Sequence, residues 1–219
     1  MNRLASVAIA AAQLTAASAG RAEPGWSPGN ATTATLDGEV QARDGADFGD
    51  GVYGRLDGDL TTALYAGVAG WENSSYAAVD ASLHYFWTAG AQLSLREGLS
   101  GSDRAHARMV GLGVDLRPLF LPRLALDLEG GPAWLDLTLD SLSLGVGAYF
   151  AKPRGGGDGT RGLSLSSSLA VPFFRSASGP WLRVRVERHL ASDADDPSET
   201  LIALQLSWHG VWATPRDAE

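Results

Sequence analysis

From Leu201 to Trp212 the chain reads LIALQLSWHGVW, with apolar and polar residues taking turns. Ile202, Leu204, Leu206, Trp208 and Trp212 fall on one side of an extended strand, with Gly210 among them. Ala203, Gln205, Ser207 and His209 fall on the other side, and Val211 breaks the pattern. Successive side chains of a strand point to opposite faces, so a segment of this kind makes a ribbon with one greasy and one polar side. The same two-residue rhythm recurs along most of the chain, which restricts the fold class to all-β.

The rhythm divides the chain into twelve expected strands. The first runs from Thr33 to Ala42 and the second from Val52 to Leu56. The third spans Leu60–Ala69, the fourth Tyr76–Tyr85, the fifth carries Leu93 and Leu95, and the sixth spans Met109–Leu116. Leu124–Glu129 reads as a seventh strand, and Leu135, Leu137 and Leu139 as the apolar side of an eighth. The apolar phase flips at Gly130–Pro132 and again at Asp140–Ser141. A two-residue hairpin turn requires such a flip, whereas one bulged strand across Gly130–Pro132 is the rival reading. Leu142–Phe150, Leu163–Val171, Leu182–Leu190 and Leu201–Trp212 complete the count. Merging two pairs would give ten.

The front end has the build of a secretory signal peptide over residues 1–19. Arg3 gives the positive start, Leu4–Ala12 the apolar core, and Ala17-Ser18-Ala19 the small-residue cleavage site, with cutting after Ala22 as the second choice. The apolar run is too short for a membrane anchor, which needs about 20 strongly apolar residues. Residues 20–32 then form a periplasmic lead-in, 33–212 the sheet, and 213–219 a tail. With no second window that could span as a helix, the mature chain is either exported and soluble or crosses a membrane as strands. The 25 Asp+Glu outnumber the 17 Lys+Arg, which argues against a nucleic-acid partner. Cysteine is absent, which excludes a disulfide-stapled fold.

Two patterns favour a lipid-embedded barrel over a soluble sandwich. Polar loops at 43–50, 71–75, 97–104, 152–161 and 191–199 alternate with short reversals at 57–59 and 86–88 and proline-marked ones at 117–123 and 172–180. Outer-membrane barrels have short turns at one end and longer loops at the other. Aromatic residues also gather near strand ends: Phe86, Trp87, Phe120, Phe150, Phe173, Phe174, Trp181, Trp208 and Trp212. Interfacial girdles have this distribution.

The polar sides would then line a lumen. The expected lining is Asp37, Glu39, Arg55, Asp80, His84, Arg96, Asp115, Asp127, Asp136, Arg183, Arg185 and Glu187. Such opposed charges either line a narrow channel for small solutes or pair across the lumen and close it. Asp80, Ser82 and His84 are the residue types of a hydrolytic triad. Residues two apart in a strand lie about 6.5–7 Å apart at the backbone, too far for a nucleophile and its base. A non-catalytic barrel is therefore expected, with a barrel-type lipid hydrolase using Ser82 and His84, or an exported soluble β-sandwich binding module, as the alternatives. His106, His189 and His209 lack partners at metal-ligand spacing. The acidic stretch Ser192–Asp196 lacks the glycine turn and closing Glu of a calcium loop, and Gly155–Gly159 lacks the strand-to-helix context of a phosphate loop. No metal or cofactor is expected.

The signal peptide, the alternating strands and the aromatic-rich last strand together resemble the general run of Gram-negative outer-membrane β-barrel proteins. The resemblance covers nearly all of the mature chain, and it is a pattern rather than a motif. It implies an up-and-down transmembrane barrel, a place in the bacterial cell outer membrane, and outer-membrane lipid and the barrel-assembly machinery as partners. Many such proteins end on an aromatic residue, whereas here Trp212 is followed by Ala213–Glu219.

Overall fold

The computed structural model describes residues 53–71, 73–101, 106–128, 131–156, 158–192 and 198–214, all within the unit Phe48–Glu219. The signal segment, the lead-in, the expected strand Thr33–Ala42 with Asp37 and Glu39, and the loop 43–50 lie outside the described residues.

The alternating segments form eight strands, not twelve and not ten. They are β1 (Leu60–Trp71), β2 (Ser74–Tyr85), β3 (Ala89–Ser100), β4 (His106–Leu116), β5 (Ser143–Pro153), β6 (Thr160–Pro172), β7 (Gly179–Ala191) and β8 (Glu199–Trp212). Each pairs antiparallel with the next, and β8 returns to β1 in a register running from Leu60↔Trp212 to Gly70↔Ile202. The result is a closed up-and-down barrel without a free edge. The connections from β1 to β2, β3 to β4, β5 to β6 and β7 to β8 leave from one end of the barrel, here the loop end. The other end carries the turns at 86–88 and 173–178, the segment 117–142, and both ends of the barrel chain at Leu60 and Trp212.

Three of the expected strands are something else. Tyr53–Asp59, read as the second strand and its turn, is a bent non-strand lead into β1. Of the expected seventh strand, Leu124 and Ala125 end helix α1 (Phe120–Ala125) and Leu126–Leu128 follow as its exit, while Glu129 lies outside the described residues. The segment around Leu135, Leu137 and Leu139 is helix α2 (Ala133–Asp140), which runs directly into β5 with no hairpin at Asp140–Ser141. The alternating leucines are real, but the spacing that governs α2 is helical. Ala133, Asp136, Leu137 and Asp140 are buried, at i, i+3, i+4 and i+7. Pro122 falls in the first turn of α1, where the backbone N–H it lacks has no helical partner to lose. Ser141 ends α2 by bridging to β6. Its hydroxyl sits 2.7 Å from the Thr138 carbonyl and accepts the Ala170 N–H at 2.8 Å.

The two helices and the 53–59 segment form a cap held by the paired aspartates of α2. Arg55, fully buried, donates to Asp140, and its guanidinium lies 4.9 Å from the Tyr53 ring centre and 5.5 Å from that of Phe120. Tyr53 donates to Asp136 at 3.1 Å. Arg123 of α1 donates to Asp140 at 2.9 Å and also to Asp136. Because Asp136 and Asp140 are one helical turn apart, a single face of α2 clamps both the 53–59 segment and α1. Behind them Phe120, Ala133 and Leu137 pack with Trp87, Ala170, Ala177 and Trp181 in one apolar cluster, against which Val211 also packs. That contact explains why Val211 breaks the alternation of β8.

Asp140 is the joint of this cap. Asp140→Ala leaves Arg55 buried without its carboxylate and is expected to cost about 3–5 kcal/mol. This would be read as a lower denaturant midpoint with an unchanged slope.

Candidate functional site

Closure gives every strand an inside and an outside. The phase expected for the eight retained strands matches the one found: polar residues point in, and the leucines and valines point out. Of the twelve expected lining residues, Asp80, His84, Arg96, Asp115, Arg183, Arg185 and Glu187 are buried within the barrel. Arg55 and Asp136 are buried in the end cap instead. Asp127 is exposed, in the left-handed exit turn of α1 with φ 51°. Asp37 and Glu39 lie outside the described residues.

The middle of the interior is one charge network. Asp80 of β2 accepts from Arg96 of β3 and from Arg183 on the opposite wall in β7, and from Gln205 of β8 at 3.1 Å. Arg183 also donates to Gln205 at 3.0 Å and lies over the Tyr65 ring at 3.5 Å. Arg96 reaches on to Glu187 at 2.9 Å. Glu187 in turn accepts from Ser164 at 3.1 Å and lies 3.4 Å from Arg185 and 3.3 Å from His189. These bonds join strands on opposite sides of the barrel through its centre.

The residues read as a possible triad do not pair with one another. Ser82 and Tyr65 hydroxyls are 3.4 Å apart. His84 Nε2 lies 2.9 Å from Asp115 on β4, so a neutral His84 carries its proton on Nε2. Asp80 is held by arginines. All three side chains point into the barrel.

Aromatic residues close both ends of this network. Toward the helices, Trp87 and Trp181 are fully buried. Trp181 stacks on His209 at 4.6 Å, and Arg117 lies 4.0 Å over Trp87. Both tryptophans were expected in an outer girdle; the structure turns them inward. Trp87 gets there through the tight turn Tyr85–Thr88, closed by a Thr88 N–H to Tyr85 carbonyl bond of 3.0 Å. Phe86 and Trp87 occupy its two central positions with φ 46° and 57°, a conformation that normally selects glycine or asparagine. Burial of the indole offsets a cost of about 1–2 kcal/mol per residue. Toward the loops, Tyr76, Met109, Tyr149 and Leu201 form a second apolar cluster with four alanines. Above it Glu199 accepts from Tyr76 at 3.0 Å and lies 3.2 Å from His106.

The interior is also lopsided. Arginines, tyrosines and histidines rise from β7, β8, β1 and β2, while β4 and β5 turn Gly111, Gly113, Gly145 and Gly147 inward. Gly113 and Gly147 are the most constrained, because a Cβ at either would lie 2.6 Å from the Val146 carbonyl oxygen or 2.5 Å from that of Leu112. What remains between the walls is a cavity of about 20 Å³. Among the described residues no three His, Asp or Glu side chains converge as a metal site.

The fold and its contents therefore define an eight-stranded, up-and-down β-barrel whose lumen is filled by its own side chains. An eight-stranded barrel is about wide enough for that filling and little more. No protein-family model matches the chain, and no curated protein matches it.

Which residues belong to the interior was legible from their strand phase. The cap partners Asp140 and Arg123 were missed, and the i, i+4 spacing of Asp136 and Asp140 was the signal available. Asp80 is the hub of the network, so Asp80→Ala is expected to cost about 3–5 kcal/mol by stranding Arg96 and Arg183. Asp80→Asn, which still accepts hydrogen bonds, is expected to cost less. Thermal unfolding followed by circular dichroism measures both.

Proposed function

We propose that this chain is an integral outer-membrane β-barrel with a structural, non-conducting and non-catalytic role. The observation that carries the proposal is the outer wall. Large apolar side chains are exposed on all eight strands, among them Val68, Leu83, Leu93, Leu112, Val146, Leu165, Val184 and Leu204. They make a continuous band around the barrel, whereas soluble proteins rarely expose apolar patches beyond a few hundred Å². Strands of 11–14 residues, tilted as in a barrel, give a wall about 25–30 Å tall, matched to a hydrocarbon core.

Both edges of the band support the same reading. At the helix end, Tyr85, Phe86, Phe173, Phe174, Trp208 and Trp212 are exposed, as an interfacial girdle would be. Among the described residues, the outward-facing charges of the strands, Glu97, Arg108, Lys152, Arg161 and Arg188, all lie within four residues of the loop end. Cations at that level suit lipid phosphates, and lipid between the two edges needs no charge. The loop end then faces outward, and the barrel's first and last strand residues, Leu60 and Trp212, lie on the periplasmic side. No described helix is long and apolar enough to cross a membrane.

A non-conducting role follows from the filled interior. A solute would have to displace Trp87 and Trp181 at one end, break the Asp80 network, and pass the Tyr76–Tyr149 cluster at the other. A lipid-hydrolase role lacks support in the bonding of Ser82 to Tyr65 rather than to His84.

The protein is expected to stay with membranes through carbonate washing and to run faster unheated than heated on a gel. Release by carbonate would overturn the membrane reading. In planar bilayers no current above background is expected, and stepwise conductance would overturn the closed reading. Leu112→Arg, on the outer face at mid-strand, separates lipid from water. In lipid it is expected to cost about 2–4 kcal/mol, and against water it would be nearly neutral.

A further inference from the structure

The buried charges of the interior do not balance, and the most weakly paired arginine of the central network lines the cavity. Among the described residues, the closed interior between the two aromatic clusters holds four cations, Arg96, Arg117, Arg183 and Arg185, against three carboxylates, Asp80, Asp115 and Glu187. Protonating any interior histidine would only enlarge the excess. In the cap, among the described residues, Arg55 and Arg123 pair with Asp136 and Asp140. Glu199 lies at the loop rim, its side chain partly open to solvent and engaged by Tyr76 and His106.

Arg117, nearer the helix end, lies over Trp87 with its Nε and one Nη buried without an acceptor. In the network itself, Arg96, Arg183 and Arg185 share only Asp80 and Glu187, and Arg185 is the most weakly paired of these three. Its one ion pair is a 3.4 Å contact to Glu187, a carboxylate already engaged by Arg96, Ser164 and His189. The Arg185 Nε–H is buried with no acceptor in the structure. So is the side-chain nitrogen of Gln92. Both residues line the same cavity, as do Ser94, Ser164 and Ser166, over a floor of glycines from β4 and β5. A buried donor without an acceptor costs about 1–3 kcal/mol, and a buried unpaired charge costs more. Here two such donors open on one small polar void, one of them from a network in which three arginines share two carboxylates.

The geometry points to a binding site for a small monovalent anion, of the size of chloride, inside the barrel between Arg185 and Gln92. Arg185 Nε and the Gln92 amide donate to it, and the Ser94 and Ser166 hydroxyls are free to turn toward it. The cavity, about 20 Å³, exceeds the ~10–15 Å³ that a water needs and suits a single halide. A neutral water would satisfy the donors and leave the charge uncompensated. An anion does both. Sulfate and phosphate are too large for the space.

Two measurements on the purified full-length protein test this. Unfolding is followed in chloride and in gluconate at equal ionic strength, gluconate being too large to enter. Chloride is expected to raise the apparent midpoint saturably, by about 2–4 °C, and Arg185→Gln is expected to abolish the difference. Equal midpoints in the two salts overturn the proposal and leave a water in the cavity. Crystals grown in bromide provide a readout that needs no variant. An anomalous peak within bonding distance of Arg185 and Gln92 is expected, and a cavity without one overturns the assignment.

Discussion

The pairing of β8 with β1 is the constraint on which the rest of this structure depends. It joins the first and last described strands, satisfies the backbone groups that an open sheet would leave at its edges, and separates an inside from an outside. Once the circle holds eight strands, the interior is only about as wide as two side chains meeting from opposite walls. Large residues on one wall then demand small ones on the other. Arg183, Arg185 and Tyr65 rise from β7 and β1, and Gly111, Gly113, Gly145 and Gly147 make room on β4 and β5. The glycine richness of the chain thus has a packing cause in addition to its turns.

Filling the lumen with charge rather than leucine has a physical consequence. Buried ion pairs contribute little net stability compared with apolar packing, because desolvation offsets their attraction. They penalise mismatch heavily, however, and in this barrel the pairs connect distant strands. Asp80 on β2 holds Arg183 on β7, and Arg96 on β3 holds Glu187 on β7. A slip of one residue in any of these strands would put a charged side chain on the outer face and an apolar one in the network. The charges act as a check on register, and the outer leucines reinforce it.

The ends are closed by different means. The loop end uses tyrosine, methionine and small apolar residues supplied by the strands themselves. The helix end borrows from outside the sheet. Arg55 and Tyr53 arrive ahead of β1, α1 and α2 arrive between β4 and β5, and Trp87 is turned in by a strained reversal. The long insertion between β4 and β5 therefore has a packing role, and its two aspartates hold Tyr53 and Arg55 in place.

The sequence by itself determined the all-β character and the face of nearly every residue in the eight strands, because strand alternation is a local property readable from neighbours. It pointed Asp80, Arg96, Arg183, Arg185 and Glu187 the same way as Ser94 and Ser164, and Leu112 and Leu204 the other way. Only the tertiary structure decided how many such segments are strands. Leucines at 135, 137 and 139 satisfy a strand's period over five residues, and Asp136 and Asp140 satisfy a helix's period over the same stretch. The contest is settled by Arg55, 85 residues earlier in the chain, and by Arg123. Inward or outward for Trp87 and Trp181 was likewise undecidable locally, since a tryptophan at a strand end fits a lipid girdle and a lumen lid equally well. Periodicity assigns sides; partners far along the chain assign what each side meets.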